Sequence, residues 1–497
     1  MSGLAGKLSS LSPERVELLI AIMGTKGLSV ADLPIFPVQN KSTPPLSFAQ
    51  ERLWIIDQLE PGNSGYHMAV TLKLEGVFSP DALISAMEHV VRRHATLRTT
   101  FLSAGGIPGQ LVNPPEPATI QTENLTGLAP HKRLAAALAQ AAKESMKPFN
   151  LSTGPLYRLF LAKLSEEEHL LAITIHHIIT DNWSMNILLE ELELGYSAFL
   201  ENKELKLPPL PIQYSDFSAW QRNVLCGEEI DRQLNYWKNK LANAPRSLQI
   251  PTDFPRTKTK TGTGARKTFH LDPAANDALR NLTRSKGATP FMGLLAAYAL
   301  ALRKLSGVDT IVIGVDVAGR NRTEVEGLFG FFVNQLALVV DLAKTFSFLD
   351  VLDQVRVSCV EAYSNQDVPF QRVVEAVGGQ RDRSRTPLFQ VKIVYLGFPM
   401  TKAPRFPGLR SSVILNEASS RFELELICWE DATKTEFLLE YNSGLYSAET
   451  AERLAASLIG TIEKAVMSPT QDLSIIMADN ELSGEPFPKG VSDDFNF

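Results

Sequence analysis

The spacing of apolar and polar residues changes period several times along the chain. Residues 80–94, PDALISAMEHVVRRH, put Leu83, Ala86, Met87, Val90 and Val91 on one helical face. Helices are also predicted over 185–200, 274–286, 290–305 and 447–466. Between them the period drops to two. MAVTLKLE at 68–75 alternates like a half-buried strand, and further strands are predicted at 156–163, 168–176, 309–316, 333–341, 389–396, 422–430 and 435–441. Strands and helices are mixed throughout, which predicts an α/β fold. Two lobes of similar size follow, joined near residues 205–230, where ELKLPPLPIQ (204–213) reads as an extended surface segment. Ahead of them SPERVELLIAIMGTK (12–26) predicts a helix, with Ser12 as cap and Pro13 in its first turn. The predicted division is a helix and linker over 1–43, one lobe over 44–215, a second over 216–480 and a loose tail over 481–497.

A chain of 497 residues is too long for one ordinary core, which agrees with two lobes. A net charge of −6 without long like-charge blocks gives none of the basic footprint of a nucleic-acid binder. No apolar run reaches the roughly 18 residues of a membrane span, and the first residues lack a secretory signal pattern. The expectation is a cytoplasmic monomer without nucleic-acid or membrane partners. Cys226, Cys359 and Cys428 are far apart, so reduced thiols are expected rather than disulfides or a metal site.

The chemistry concentrates at ITIHHIITDNWS, residues 173–184. Two of only eight histidines, His176 and His177, stand where a strand leaves its sheet and a helix is about to begin. Neighbouring side chains on a strand point opposite ways, so the two rings are not expected to share a metal, and no third ligand is near. One ring is expected to serve the structure and the other to face a cavity, where a neutral imidazole can accept a proton. Asp181 is placed to brace the turn, and Ser184 to cap the helix.

HHIITDNWS resembles the His-His-x-x-x-Asp-Gly motif of the condensation domains of non-ribosomal peptide synthetases. Six other segments resemble motifs of that family in the same order. They are SFAQERLW (47–54), RRHATLRTTF (92–101), YSDFSAWQR (214–222), IGVDVAGRNRTEVEGLFGFFVNQ (313–335), NQDVPFQRVVEAV (365–377) and RDRSRTPLFQV (381–391). Together the resemblance covers roughly residues 44–480. It implies two chloramphenicol acetyltransferase-like lobes in a V-shaped pseudo-dimer with a tunnel between them. It also implies an acyltransferase that joins a carrier-bound acyl or peptidyl thioester to an aminoacyl amine. No cofactor is implied for the domain itself. The substrates arrive on the phosphopantetheine arms of donor and acceptor carrier proteins, and an adenylation domain is an implied neighbour. If the chain is complete it meets its carriers in trans, and its first helix resembles the leader of synthetase chains.

Carried over by motif, His177 is the catalytic histidine, acting on the attacking amine as general base or by positioning. His176 is structural, and Asp181 pairs with an arginine, for which Arg98 is the candidate. Asn182, Trp183, Ser184 and Asn334, with Arg421 and Glu423 from SSRFELELICWE (419–430), are candidates for the tunnel or acceptor side. The motif glycine is replaced by Asn182, a residue that tolerates a left-handed backbone, so the turn is expected to survive. Asn365 stands where the sixth motif commonly has histidine, with a modest effect expected. GLFGFFVNQ (327–335) reads chiefly as a turn entering a buried strand, with the tunnel wall or a crossover as the functional alternative. The motif versions are closest to members joining two L-type units. Three alternatives remain: a non-catalytic recruitment module, an epimerisation domain, and a free-standing or terminal enzyme using a soluble amine. A heterocyclisation domain carries aspartates in place of the histidine pair and does not fit.

Overall fold

The computed structural model describes residues 34–37, 43–257, 262–378, 385–400, 402–415, 420–431 and 434–477, with isolated helical positions at 15 and 22. Most of the helix expected over 12–26, part of the linker and all of the tail from 481 lie outside the described residues.

In chain order the elements are α1 (Phe48–Leu59), β1 (His67–Gly76), α2 (Pro80–Arg93), β2 (Thr99–Ala104), β3 (Ile107–Val112), β4 (Ile120–Asn124), α3 (Pro130–Met146), β5 (Tyr157–Lys163), β6 (Glu168–His176) and α4 (Asn182–Leu200). Then come α5 (Tyr214–Val224), α6 (Gly227–Leu241), β7 (Gly264–Leu271), α7 (Pro273–Ser285), α8 (Pro290–Ser306), β8 (Thr310–Val317) and β9 (Asn334–Asp341). Next are α9 (Phe348–Tyr363), α10 (Phe370–Val377), β10 (Val391–Leu396), β11 (Leu409–Ile414), β12 (Leu424–Asp431), β13 (Lys434–Asn442) and α11 (Ala448–Met467), and the described residues end with the short α12 (Leu473–Met477). The α/β expectation holds, and the predicted helices and strands that lie among the described residues fall within a few residues of their expected bounds, while α1, α3, α5, α6, α9, α10, α12, β2, β3, β4, β7 and β11 are additional. Between β8 and β9 the chain makes one helical turn, Thr323–Glu326.

The chain forms two compact units, each with a mixed sheet. Unit 1 takes residues 1–231 and two later returns, 318–333 and 401–416. A division made along the chain at residue 215 assigns those returns to the other unit. Its five-stranded sheet runs β11-β1-β6-β5-β4, so the last-arriving strand lies at an edge. The second unit has a six-stranded sheet, β7-β13-β12-β10-β8-β9, with parallel pairing of β10 to both β8 and β12.

In unit 1, β6 is buried along nearly its whole length because both faces are covered. Leu171, Ile173 and Ile175 join one core cluster, while Leu170 and Ala172 pack with Ala137 and Ala141 of α3. The first face is covered by α2 and α4. Ser79 caps α2 through the Ala82 N–H, Pro80 starts it, and Arg92 and Arg93 close its last turn. All five residues predicted for its apolar face are buried. Gly195 of α4 lets the two helices touch, since a Cβ there would lie 2.8 Å from that of Ala86. The central strand therefore delivers His176 and His177 at a rigid edge. Among the described residues no helix is long and apolar enough to cross a membrane.

Candidate active site

β6 ends at His176, and a single 3-10 turn, His177–Ile179, links it to α4. The His176 Nδ1 accepts from the Ile178 N–H at 3.1 Å, so this ring closes the turn. It lies in register opposite His67 of β1, with ring centroids 5.7 Å apart. The His67 Nδ1 is 2.7 Å from the Ser145 carbonyl. Burial, with smaller effects from His67 and His177, pushes the His176 pKa down to about 3, so the ring is neutral at neutral pH.

His177 is half-buried, and its ring lies 4.6 Å from that of Phe331. Its Nδ1 is 2.6 Å from the Thr180 carbonyl, an acceptor only. That contact puts the proton on Nδ1 and makes Nε2 the basic nitrogen. The Ile178 carbonyl accepts from Gln50 Nε2 of the first motif at 3.3 Å, tying the turn to α1.

Asp181 is fully buried and caps α4. Its Oδ1 accepts from the Ser184 N–H at 2.8 Å and its Oδ2 from the Phe332 N–H at 3.1 Å. The helix therefore starts at Asn182, not after Ser184 as expected. An aspartate whose carboxylate is already held by a second segment is the better-placed cap. Asn182 is exposed, occupies the first helical position and lacks the left-handed backbone expected of the missing glycine.

The arginine that meets Asp181 is Arg320, not Arg98. Arg320 Nη2 lies 3.3 Å from Asp181 Oδ1 and 2.8 Å from Ser184 Oγ. Its Nη1 donates to the carbonyls of Val325 and Leu328, both at 2.7 Å, and its guanidinium stacks over Phe332. Burial lowers the Arg320 pKa while Asp181 opposes that shift. Arg98 instead donates to the Asn113 carbonyl at 2.6 Å, bracing the β2–β3 hairpin. Arg320 stood inside the fifth motif but was not among the candidate site residues. The signal was its place in a motif, not its local chemistry.

The 318–333 return is pinned at several further points. Ser184 Oγ donates to the Gly330 carbonyl and accepts from its N–H, Thr96 Oγ1 donates to the Phe329 carbonyl, and Tyr214 Oη donates to the Phe331 carbonyl. Tyr214 also meets Ser47 Oγ at 2.8 Å, joining the first and fourth motifs. Trp183 is partly exposed and donates to the Glu326 carbonyl at 2.9 Å. Ser184 and Trp183 thus hold this return. The aromatic segment is chiefly structural, with Phe331 also forming a wall beside His177.

The remaining candidates belong to the second unit. Asn334 donates to the carbonyls of Gln366 and Val368 and accepts from the Phe370 N–H, which uses its amide on the sixth motif. Asn365 is buried and bonded to Arg232 and the Glu361 carbonyl. Arg421 is exposed. Glu423, the other candidate from this segment, is engaged within the second unit. It is buried just before β12, paired through both oxygens with Arg256 and accepting from Tyr446 Oη.

The family model described as "Condensation domain" matches residues 40–481, and the chain belongs to that family. It is 37% identical over 445 residues to a linear gramicidin synthase of Brevibacillus parabrevis, matching 89% of this chain and 6% of that protein. The chain thus spans a small fraction of the curated relatives it matches first. Among solved structures, the X-domain from teicoplanin biosynthesis superposes with a TM-score of 0.78 at 26% identity, covering 89% of this chain and 99% of that one. That X-domain is also solved in complex with OxyB. The starter condensation domain of rhizomide synthetase shares the fold, with a TM-score of 0.72 at 20% identity over 87% of this chain and 96% of its own.

Proposed function

We propose that the chain catalyses amide-bond formation, transferring an acyl or peptidyl group from one carrier protein to the aminoacyl amine on a second. The observation that supports this best is the setting of His177. Its Nδ1 is committed to Thr180, and its turn is locked by Asp181 and Arg320. In the reaction the acceptor nitrogen attacks the thioester carbonyl carbon. A C–N bond forms, the C–S bond breaks, and the donor's phosphopantetheine sulfur leaves as a thiol. The nitrogen loses one proton and the sulfur gains one. His177 Nε2 takes the proton from nitrogen or directs its lone pair by hydrogen bonding. An α-ammonium group has a reference pKa of about 8, so deprotonation at neutral pH costs little. Orientation of two bound reactants can lower the barrier by several kcal/mol, on the order of 7 or more in favourable cases.

The test combines the protein with an acyl-loaded donor carrier and an L-aminoacyl acceptor carrier. Mass spectrometry of the acceptor arm reads the transfer, with His177→Ala alongside. Transfer that collapses in the variant supports the reading, and equal transfer in both removes His177 from the mechanism. A second reading, recruitment of a partner enzyme without catalysis, is supported by the similarity to the X-domain solved with OxyB. Carrier binding without transfer to carrier-bound or free amines is its outcome.

A further inference from the structure

On unit 1, the end of α2 and the extended segment 204–210 border a cavity of about 550 Å³ that includes no residue of the His177 turn. Pockets of roughly 300–1,000 Å³ suit small organic molecules. The lining has two characters. His89, exposed Arg92 and Arg93 project from one helical face, three and four residues apart, and Lys206 comes from the facing segment together with one carboxylate, Glu204, so the wall carries a net positive charge. Leu207 and Leu210 supply an apolar side.

The polar groups differ in how fully they are engaged. Arg93 Nε is held by Glu191 Oε1 at 2.9 Å, and the other Glu191 oxygen meets buried His94 at 3.0 Å. Gln213 accepts from the Ala95 N–H and donates to the Arg93 carbonyl. Lys206 reaches Glu204 at 3.4 Å, but both ends are almost fully exposed, so solvent screens that pair. Arg92 and half-buried His89 make no hydrogen bond or ion pair among the described residues. Basic side chains in a last helical turn complement the helix dipole, which accounts for Arg92 and Arg93 on their own. It does not account for the concavity, for Lys206 arriving from another segment, or for the His89 ring at the same wall.

We propose that this cavity binds a small organic oxyanion, its phosphate or carboxylate head held by Arg92, Lys206 and His89 and its apolar body against Leu207 and Leu210. A guanidinium presents paired N–H groups to either head, and the ion-paired Arg93 stiffens the wall behind. Burial lowers the His89 pKa, Arg92, Arg93 and His94 add to that, and Glu191 opposes it. A bound anion adds a second opposing charge, so His89 takes up its proton at higher pH when the site is filled.

The His89 ring is therefore the reporter. Its Cε1–H resonance in the full chain, assigned with His89→Gln, is titrated with pH in phenyl phosphate, benzoate, inorganic phosphate, and sodium chloride of matched ionic strength. The expected result is a saturable rise of the His89 midpoint with phenyl phosphate that chloride does not reproduce. The Arg92→Gln/Lys206→Gln variant should bind about tenfold more weakly or worse. A matching response to benzoate assigns a general carboxylate and phosphate site, and its absence assigns phosphate. A shift equal to that in chloride, or one unchanged in the variant, overturns the proposal. Inorganic phosphate binding as tightly as phenyl phosphate overturns the apolar half. None of these results bears on His177, so the proposed reaction stands or falls separately.

Discussion

Asp181 and Arg320 meet with their side chains at most 1% exposed, 139 positions apart in sequence. Removing one partner of such a pair strands a buried charge, at a cost of about 3–5 kcal/mol. Arg320→Met and Asp181→Asn should each lower stability by that order in urea unfolding. The double variant should cost less than the sum of the two, because neither charge is then left alone. Arg98→Met should leave the Asp181 turn intact. A loss below about 1 kcal/mol in both single variants would contradict the lock.

The 318–333 return also depends on a close approach. A Cβ on Gly330 would lie 2.0 Å from Tyr214 Cδ2, and that ring is fixed by hydrogen bonds to Ser47 and Phe331. Gly330→Ala should cost about 1–3 kcal/mol through overpacking. Gly327→Ala is the control, since its added Cβ meets only Leu210 at 3.5 Å. Thermal unfolding of the two variants side by side checks this, and equal melting temperatures would refute it.

His176 links stability to pH. Unfolded, it titrates near the ordinary histidine value of about 6.5, and folded it takes a proton only near about 3. Between those values the unfolded state holds more protons, so stability falls as pH falls through this window. The contribution is about 1.4 kcal/mol per pH unit. Denaturant midpoints measured from about pH 7 to about pH 4 should fall less steeply in His176→Asn. Identical slopes would show that His176 does not carry the effect. His67, also lowered by burial, remains in both proteins and cancels in the comparison.

Substitution of His177 by asparagine separates its two proposed roles. An amide N–H can replace the bond to the Thr180 carbonyl but cannot accept a proton at neutral pH. If proton acceptance matters, His177→Asn should lose about 10²–10⁴-fold in single-turnover transfer, and the wild-type rate should rise with pH through the imidazole titration. If orientation suffices, His177→Asn should retain most of the activity lost in His177→Ala. Loss in both variants with a pH-independent wild-type rate would exclude proton acceptance.

Much of the fold was legible because its signals are local. The alternation in MAVTLKLE, the apolar face from Leu83 to Val91 and the change of period after His177 each depend on residues within a turn or two. The seven ordered motifs pointed to the turn after β6, where His176 Nδ1 accepts from the Ile178 N–H. The position of the helix cap was less legible. Asp181 and Ser184 both suit an N-cap, and the choice depends on the Phe332 N–H and Arg320 holding the aspartate in place. The burial of Glu423 was not legible, because a charged residue beside a strand is usually solvated. Its burial depends on Arg256 and Tyr446 arriving from elsewhere in the chain.

The sequence by itself determined the α/β element order, the strand-end placement of the histidine pair and an aspartate to brace the turn, since backbone periodicity and turn chemistry act between near neighbours. Only the tertiary structure decided that the brace is Arg320, that Asn182 begins a helix, and that residues 318–333 and 401–416 return to unit 1. Those outcomes depend on which distant groups can satisfy a buried charge or an unpaired N–H, and spacing along the chain carries no record of that choice.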